Sequence, residues 1–239
     1  MIINSIAISS LGQKRAKNQD AFMLNEDENI YIVSDGMGGY AGGEIASQIS
    51  IYSINDFITI NKNIPVEQVL DLAIKQASNA IFDRAQNDSQ LAGMGTTTTV
   101  LYLKEGNAFI AQVGDSRAYF FRDNHLWQIT DDHSLVNEQV KAGHITREEA
   151  KKYKFKNVIT RSVGFHKNVE VDIYKLPVKA NDKFLLCSDG LSNYFDDNEI
   201  LDIISNNSIN ETAKYLIKET NMRGGDDNVT VLIVDVEKT

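Results

Sequence analysis

Short apolar runs, broken by glycine, asparagine and aspartate, recur along most of the chain. Ile30-Tyr31-Ile32-Val33, Phe109-Ile110-Ala111-Gln112-Val113 and Phe184-Leu185-Leu186-Cys187 predict buried strands within 30–34, 107–113 and 183–188. The same reasoning predicts strands over 2–9, 20–24, 96–103, 117–122, 126–129, 169–175 and 228–236. Helical patterns cover 43–59, 197–205 and 210–221. A further helix follows Pro65, which suits its first turn. Its apolar positions Val66, Val69, Leu70, Ala73, Ala77 and Ile81 recur at helical spacing. Residues 134–153 are polar and helix-prone, with a break at Gly143.

Glu105-Gly106-Asn107 and Arg122-Asp123-Asn124 have the composition of hairpin turns. Hairpins outnumber strand–helix–strand crossovers, which favours antiparallel sheets covered by helices over a doubly wound parallel sheet. About ten strands fit two packed sheets better than one open sheet. The expected class is therefore α+β.

The chain has 239 residues, 42% of them hydrophobic, and its two prolines, Pro65 and Pro177, mark no linker. One domain over 1–239 is expected. Lys and Arg number 24 against 33 Asp and Glu, a net charge of −9, which argues against nucleic-acid binding. Cys187, the single cysteine, lies in an apolar run and reads as a buried structural thiol. Met1 to Ser10 lacks a basic region followed by a long apolar stretch, so no signal peptide is expected, and no run is long enough to span a membrane.

Chemistry concentrates in five separated segments: Asn18-Gln19-Asp20, Asp35-Gly36-Met37-Gly38-Gly39, Gly114-Asp115-Ser116-Arg117, Ser188-Asp189-Gly190 and Asp226-Asp227-Asn228. Three follow apolar strands directly. A carboxylate at the end of a buried strand, beside a glycine that lets the backbone turn, is a natural ligand for a hard cation. Convergence of these aspartates on one metal site is expected. They are spread too widely for a helix–loop–helix calcium site, whose ligands share a twelve-residue loop. The glycine run from Gly36 to Gly43 lacks the Gly-Lys-Ser/Thr ending of a phosphate loop, and Ser116 has no Gly-x-Ser-x-Gly frame. Arg15, five residues before Asp20, adds a guanidinium suited to two-point contact with a phosphoryl group.

Taken in order, Gly12-x-x-Arg15-x-x-Asn18-Gln19-Asp20, Asp35-Gly36-Met37-Gly38-Gly39, Gly95-Thr96-Thr97, Gly114-Asp115-Ser116-Arg117, Asp132-His133-Ser134, Ser188-Asp189-Gly190 and Asp227-Asn228-Val229-Thr230 resemble the PPM, or type 2C, metal-dependent serine/threonine protein phosphatases in a minimal bacterial form. The match runs from about residue 4 to 236. The resemblance implies a four-layer α-β-β-α sandwich with metals at one edge of two mainly antiparallel sheets. It implies catalytic roles for Asp35, Asp189 and Asp227, and phosphate binding by Arg15. Asp35 would bridge two Mn²⁺ or Mg²⁺ ions, the Gly36 carbonyl would bind one, and Asp189 and Asp227 would complete the other. Asp20 would act through water, and Asp115 with Asp189 would hold a third, weaker ion. Gln19 stands where many relatives carry glutamate and contributes no charge. The implied reaction is in-line attack of a metal-bridged hydroxide on the phosphate of phosphoserine or phosphothreonine, with no covalent intermediate.

Met37 departs from eukaryotic relatives, which often carry a histidine there, and cannot give a proton. A metal-bound water is expected to protonate the leaving group. His133 is expected to position a flap rather than to act in catalysis. Thr96 to Thr99 and Trp127 read as packing residues, and Asp226 as a neighbour of the site. The polar stretch 134–157 is the expected flap, with Lys151, Lys152, Lys154 and Lys156 facing an acidic phosphopeptide or merely solvent. By resemblance the partners are phosphorylated proteins, including a Ser/Thr kinase and its targets, for a cytoplasmic monomer free of membrane and nucleic acid. The alternatives are a catalytically silent metal-binding module of the same fold, or a phosphatase acting on a small molecule or another regulatory protein.

Overall fold

In the computed structural model, which describes residues 1–150, 153 and 158–238, eleven strands form two sheets. The strands are β1 Ile2–Ser10, β2 Asp20–Asn25, β3 Ile30–Met37, β4 Gly95–Thr96, β5 Thr98–Lys104, β6 Asn107–Val113, β7 Arg117–Arg122, β8 His125–Gln128, β9 Asp172–Pro177, β10 Asp182–Cys187 and β11 Val229–Lys238. One sheet has the order β1-β11-β10-β7-β8. The other runs β2-β3-β5-β6-β9, with β4 paired to β3. Every pairing of named strands is antiparallel. The expected hairpin turns are present, with positive φ at Glu105, Gly106, Asp123 and Asn124.

Strand alternation sorts side chains into layers. Tyr31, Val33, Leu101 and Ile110 from one sheet meet Phe120, Phe184, Leu186 and Val234 from the other. The intervening residues Ile30, Ile32, Val100 and Ala111 face outward against α1 Gly39–Ile60 and α2 Val66–Gln86. On the opposite side, Leu185, Cys187, Val231 and Ile233 pack against helices. The small helices there and around residue 140 are α3 Leu135–Lys141, α4 Arg147–Ala150, α5 Asp189–Ser192, α6 Asp197–Asn206 and α7 Ile209–Met222. The result is the expected four-layer α-β-β-α sandwich. Burial of each large apolar side chain contributes roughly 1.5–3 kcal/mol. Asp196 with Glu199 and Ser208 with Glu211 close capping boxes that start α6 and α7.

Several local expectations shift. Pro65 is the cap preceding α2 rather than a residue of its first turn. The strand predicted at 96–103 is interrupted at Thr97, which divides β4 from β5. Trp127, expected to pack in the core or on its hairpin, is 45% exposed and stacks on Phe120 and His125, which is the hairpin alternative. Lys151, Lys152, Lys154 and Lys156 lie outside the described residues.

Candidate metal centre

The expected aspartates arrive at one end of the sandwich from separate elements. Asp20 opens β2 and is the register partner of Asp35 in β3. Asp35 is inside its strand, because pairing of Gly36 and Met37 with Thr96 and Gly95 carries β3 two residues further. Asp115 follows β6, and Asp189 starts α5 just beyond β10. Asp227 precedes β11 and receives Arg15 Nη2 at 2.6 Å. Asp226 turns away, paired with exposed Lys14.

These side chains act on one another electrostatically. Burial pushes the Asp35 carboxyl well above the usual carboxylate range, and the charges of Asp20, Asp189, Asp115 and Asp227 add to the effect. Burial, then Asp189 and Asp132, raise Asp115. Burial and then Asp227 raise Asp189. Asp20 is pushed up to about 7, chiefly by burial, although hydrogen bonds from Thr230 and Ser188 work in the opposite direction.

These residues fit a hard divalent cation. Both hydroxyl donors, Ser188 Oγ and Thr230 Oγ1, reach Asp20 Oδ2 at 2.7 Å. Asp20 Oδ1 and Asp189 Oδ1 are buried without a hydrogen-bond partner. Orphaned buried carboxylate oxygens within a group of mutually repelling acids call for positive charge. Among the described residues, no three His, Cys, Asp or Glu side chains stand in ready-made ligating geometry, so the carboxylates are gathered but not drawn into a cage. The Gly36 carbonyl and the Gln19 amide crowd the same point beside Gly43. A side chain at Gly36 would strike the Gly43 carbonyl at 2.0 Å, so the glycine run serves the close approach of β3 and α1.

The Arg15 loop is fixed from the other side of the site. Asn228 Nδ2 donates to the carbonyls of Leu11 and Lys17, and its Oδ1 accepts from Gln19 N–H. A Cβ at Gly12 would lie 2.2 Å from the Asp227 carbonyl. The loop carrying Arg15 is therefore seated directly on the segment carrying Asp227. A groove of about 560 Å³ bordered by Ile3, Glu26, Lys183 and Asp235 lies at the far end of β1 and β11, away from these groups.

Residues 10–223 match the family described as Protein phosphatase 2C. The chain belongs to that family. It is 37% identical over 235 residues to a serine/threonine phosphatase, stp, of Listeria welshimeri, covering 94% of this chain and 92% of the relative. The structure of the Mycobacterium tuberculosis serine/threonine phosphatase PstP/Ppp superposes with a TM-score of 0.93 at 34% identity, over 99% of this chain and 100% of that one. The PstP catalytic domain in complex with two manganese ions gives 0.88 at 35% identity, over 98% and 97%. This protein phosphatase 2C is thus a metal-dependent serine/threonine protein phosphatase acting on phosphoproteins.

Beyond the aspartates, small polar residues brace the site in this phosphatase. Asp35 N–H donates to Thr97 Oγ1 at 2.9 Å. The Asp35 carbonyl accepts from Thr97 N–H and from Thr96 Oγ1, both at 2.8 Å. Thr96 to Thr99 are fully buried, and two of them hold the Asp35 backbone. Asn18 Nδ2 donates to Ser9 Oγ, and Ser9 Oγ shares a hydrogen bond with Thr230 Oγ1, extending the support of Asp20. The signal was present in sequence as the asparagine, serine and threonine beside each aspartate. Cys187 is buried and its thiol is pushed up to about 12 by desolvation, which keeps it protonated and inert. His133 Nδ1 accepts from Gly114 N–H at 3.1 Å, so its proton sits on Nε2 facing Asp172 Oδ2. That proton is engaged by the Asp172 carboxylate.

Proposed function

We propose that this phosphatase hydrolyses phosphoserine and phosphothreonine at a two-cation centre organised on Asp35, completed by Asp189, Asp227 and the Gly36 carbonyl. Asp20 serves through water, and Asp115 with Asp189 takes a third, weaker ion. The observation that carries the reading is the group of half-buried, mutually destabilised carboxylates with Arg15 paired to one of them. An all-oxygen donor set suits Mn²⁺ or Mg²⁺. When bound, such a pair activates water and neutralises charge at phosphorus.

The chain's own residues do the rest. Ser188 and Thr230 occupy one oxygen of Asp20 and leave the other buried without a hydrogen-bond partner. Thr96 and Thr97 fix the Asp35 backbone. Arg15, anchored by Nη2 on Asp227, presents a planar fork that matches non-bridging phosphoryl oxygens. Met37 carries no proton, so the leaving alkoxide takes one from water at the site. No covalent step is required, in keeping with the inert Cys187 and with Ser116 Oγ hydrogen-bonded to Thr97.

The finer assignments belong to the same proposal. The chain works as one unit with a flap at 134–157, as a cytoplasmic monomer, opposite a Ser/Thr kinase on shared targets. Its relationship to the bacterial phosphatases supports this, and among the described residues no helix is long and apolar enough to cross a membrane. The test is phosphate release from a phosphothreonine peptide with Mn²⁺, Mg²⁺, Ca²⁺ or chelator, for wild type and Asp189→Ala. Activity with Mn²⁺ that is lost to chelator and to the substitution is expected. Activity surviving chelation would overturn the mechanism.

A further inference from the structure

A single hydrogen-bonded line joins the Asp115 turn to Ser134 and Leu135 and to residues 158–161. His133 grips Gly114 twice. Its N–H donates to the Gly114 carbonyl at 2.9 Å, and its Nδ1 accepts from Gly114 N–H at 3.1 Å. The second bond fixes the tautomer, so Nε2–H donates to Asp172 Oδ2 at 3.1 Å. Asp172 Oδ1 accepts from Arg161 Nη1 at 2.8 Å, and Arg161 Nη2 pairs with Glu170 at 3.2 Å. Around the same histidine the chain is stitched together. Thr160 N–H donates to the His133 carbonyl, Leu135 N–H donates to the Val158 carbonyl, and Ser134 bridges Ile159.

The line also joins the two sheets. His133 follows β8 of one sheet, whereas Asp172 opens β9 at the edge of the other. The adjoining motif closes in parallel, since Arg117 makes a two-pronged pair with Asp132 at 2.9 and 2.7 Å. His133 is 6% exposed, but about a third of each of the Asp172 and Arg161 side chains meets solvent. The inner end of the line is therefore sealed beside Asp115 and the outer end is open.

We propose that His133 and Asp172 are positioning residues which set the Asp115 carboxylate, and that Arg161 ties this setting to the base of the 134–157 segment. A carboxylate that orients an imidazole is a common outer support of metal sites, where the imidazole is itself the ligand. Here the imidazole acts on the Gly114 peptide, one residue before the carboxylate it controls. The inference rests on the reading of Asp115 as the holder of a third, weaker ion, and the experiment keeps the two separable.

Mn²⁺ binding to the full chain is titrated by calorimetry, with melting temperature recorded alongside. Asp115→Ala is expected to remove the weakest binding step. Asp172→Ala is expected to weaken that step alone, by about tenfold, the size typical of lost outer-sphere support. His133→Gln, which loses the acceptor for Gly114 N–H, should do the same. His133→Asn, whose amide oxygen can stand where Nδ1 stood, should lose less. Should the alanine variant fail to fold, Asp172→Asn decides, because it keeps the shape but not the charge toward Arg161. Loss of the weak step in Asp115→Ala with wild-type binding in the Asp172 variants overturns the relay and leaves the Asp115 reading intact. Unchanged binding in Asp115→Ala overturns that reading and the relay with it. A uniform loss across all steps in the Asp172 variants also overturns it, since that marks a role in the fold alone.

Discussion

Asp20 and Asp35 face each other as register partners on neighbouring antiparallel strands. Like charges placed opposite one another destabilise a sheet, and here both are largely withdrawn from water. Burial and each other's company raise both carboxyls. A fold that holds them together without a cation carries a cost that a cation removes. In chelator, Asp35→Asn should therefore melt higher than wild type by roughly 2–4 °C, the shift for about 1 kcal/mol in a chain of this size. With Mn²⁺ the order should reverse, because wild type gains stability and the variant does not. Thermal melts with and without Mn²⁺ check this. A variant melting below wild type in chelator contradicts it.

Arg15 tests a different part of the site. Its loop is held by Asn228 and by Gln13 N–H on the Gly225 carbonyl at 2.7 Å, so the guanidinium has a defined base. Arg15→Lys keeps the charge and loses the planar fork. The expected loss in kcat/KM is about a hundredfold, equivalent to ~2.7 kcal/mol of transition-state stabilisation. It should be alike for an aryl phosphate and a phosphopeptide, with Mn²⁺ affinity unchanged. A loss confined to the phosphopeptide would mean that Arg15 reads the protein rather than the phosphoryl group.

Thr97 links the Asp35 backbone to the Ser116 hydroxyl at 2.7 Å. Thr97→Val preserves shape and leaves the Asp35 N–H buried without an acceptor. A cost of about 1–3 kcal/mol follows, together with weaker Mn²⁺ binding. Thr97→Ser should restore both. Denaturant midpoints in chelator measure the first effect and calorimetry the second. A valine variant as stable as wild type would show that the hydroxyl is dispensable.

This threonine also marks where the sequence stops being legible. The aspartates announce themselves, because short polar motifs beside apolar runs are visible locally. Which face of residues 30–34 meets which layer is not visible, since Ile32 and Val33 are comparably apolar yet lie in different cores. Asp35 reads as the end of a strand because its continuation depends on pairing with Gly95 and Thr96, some sixty residues away. Thr96 to Thr99 read as one packed strand for the same reason. The four-residue α5 under Asp189 is too short to leave a periodic trace. The ligand candidates are thus local, whereas their hydroxyl and amide supports arise only from long-range register.

His133 supplies a prediction in pH. Burial lowers its pKa below the ordinary 6.5, and the hydrogen bond to Asp172 offsets only part of that, while the charges of Arg161 and Lys141 lower it further. The unfolded histidine titrates near 6.5. Between that value and the lower folded one, the unfolded chain holds more protons, so stability falls as pH falls. The contribution is complete above 6.5 and is lost as pH drops through the folded value. His133→Asn keeps an acceptor for Gly114 N–H and has nothing to titrate. Its deficit relative to wild type should therefore shrink as pH is lowered from neutral towards about 5, with a limiting slope of about 1.4 kcal/mol per pH unit. Denaturant midpoints of both proteins in chelator give the difference directly, and carboxylate effects common to the two cancel. A gap that stays constant or widens toward acid would show that the fold accepts the imidazolium, and that Asp172 outweighs burial at this position.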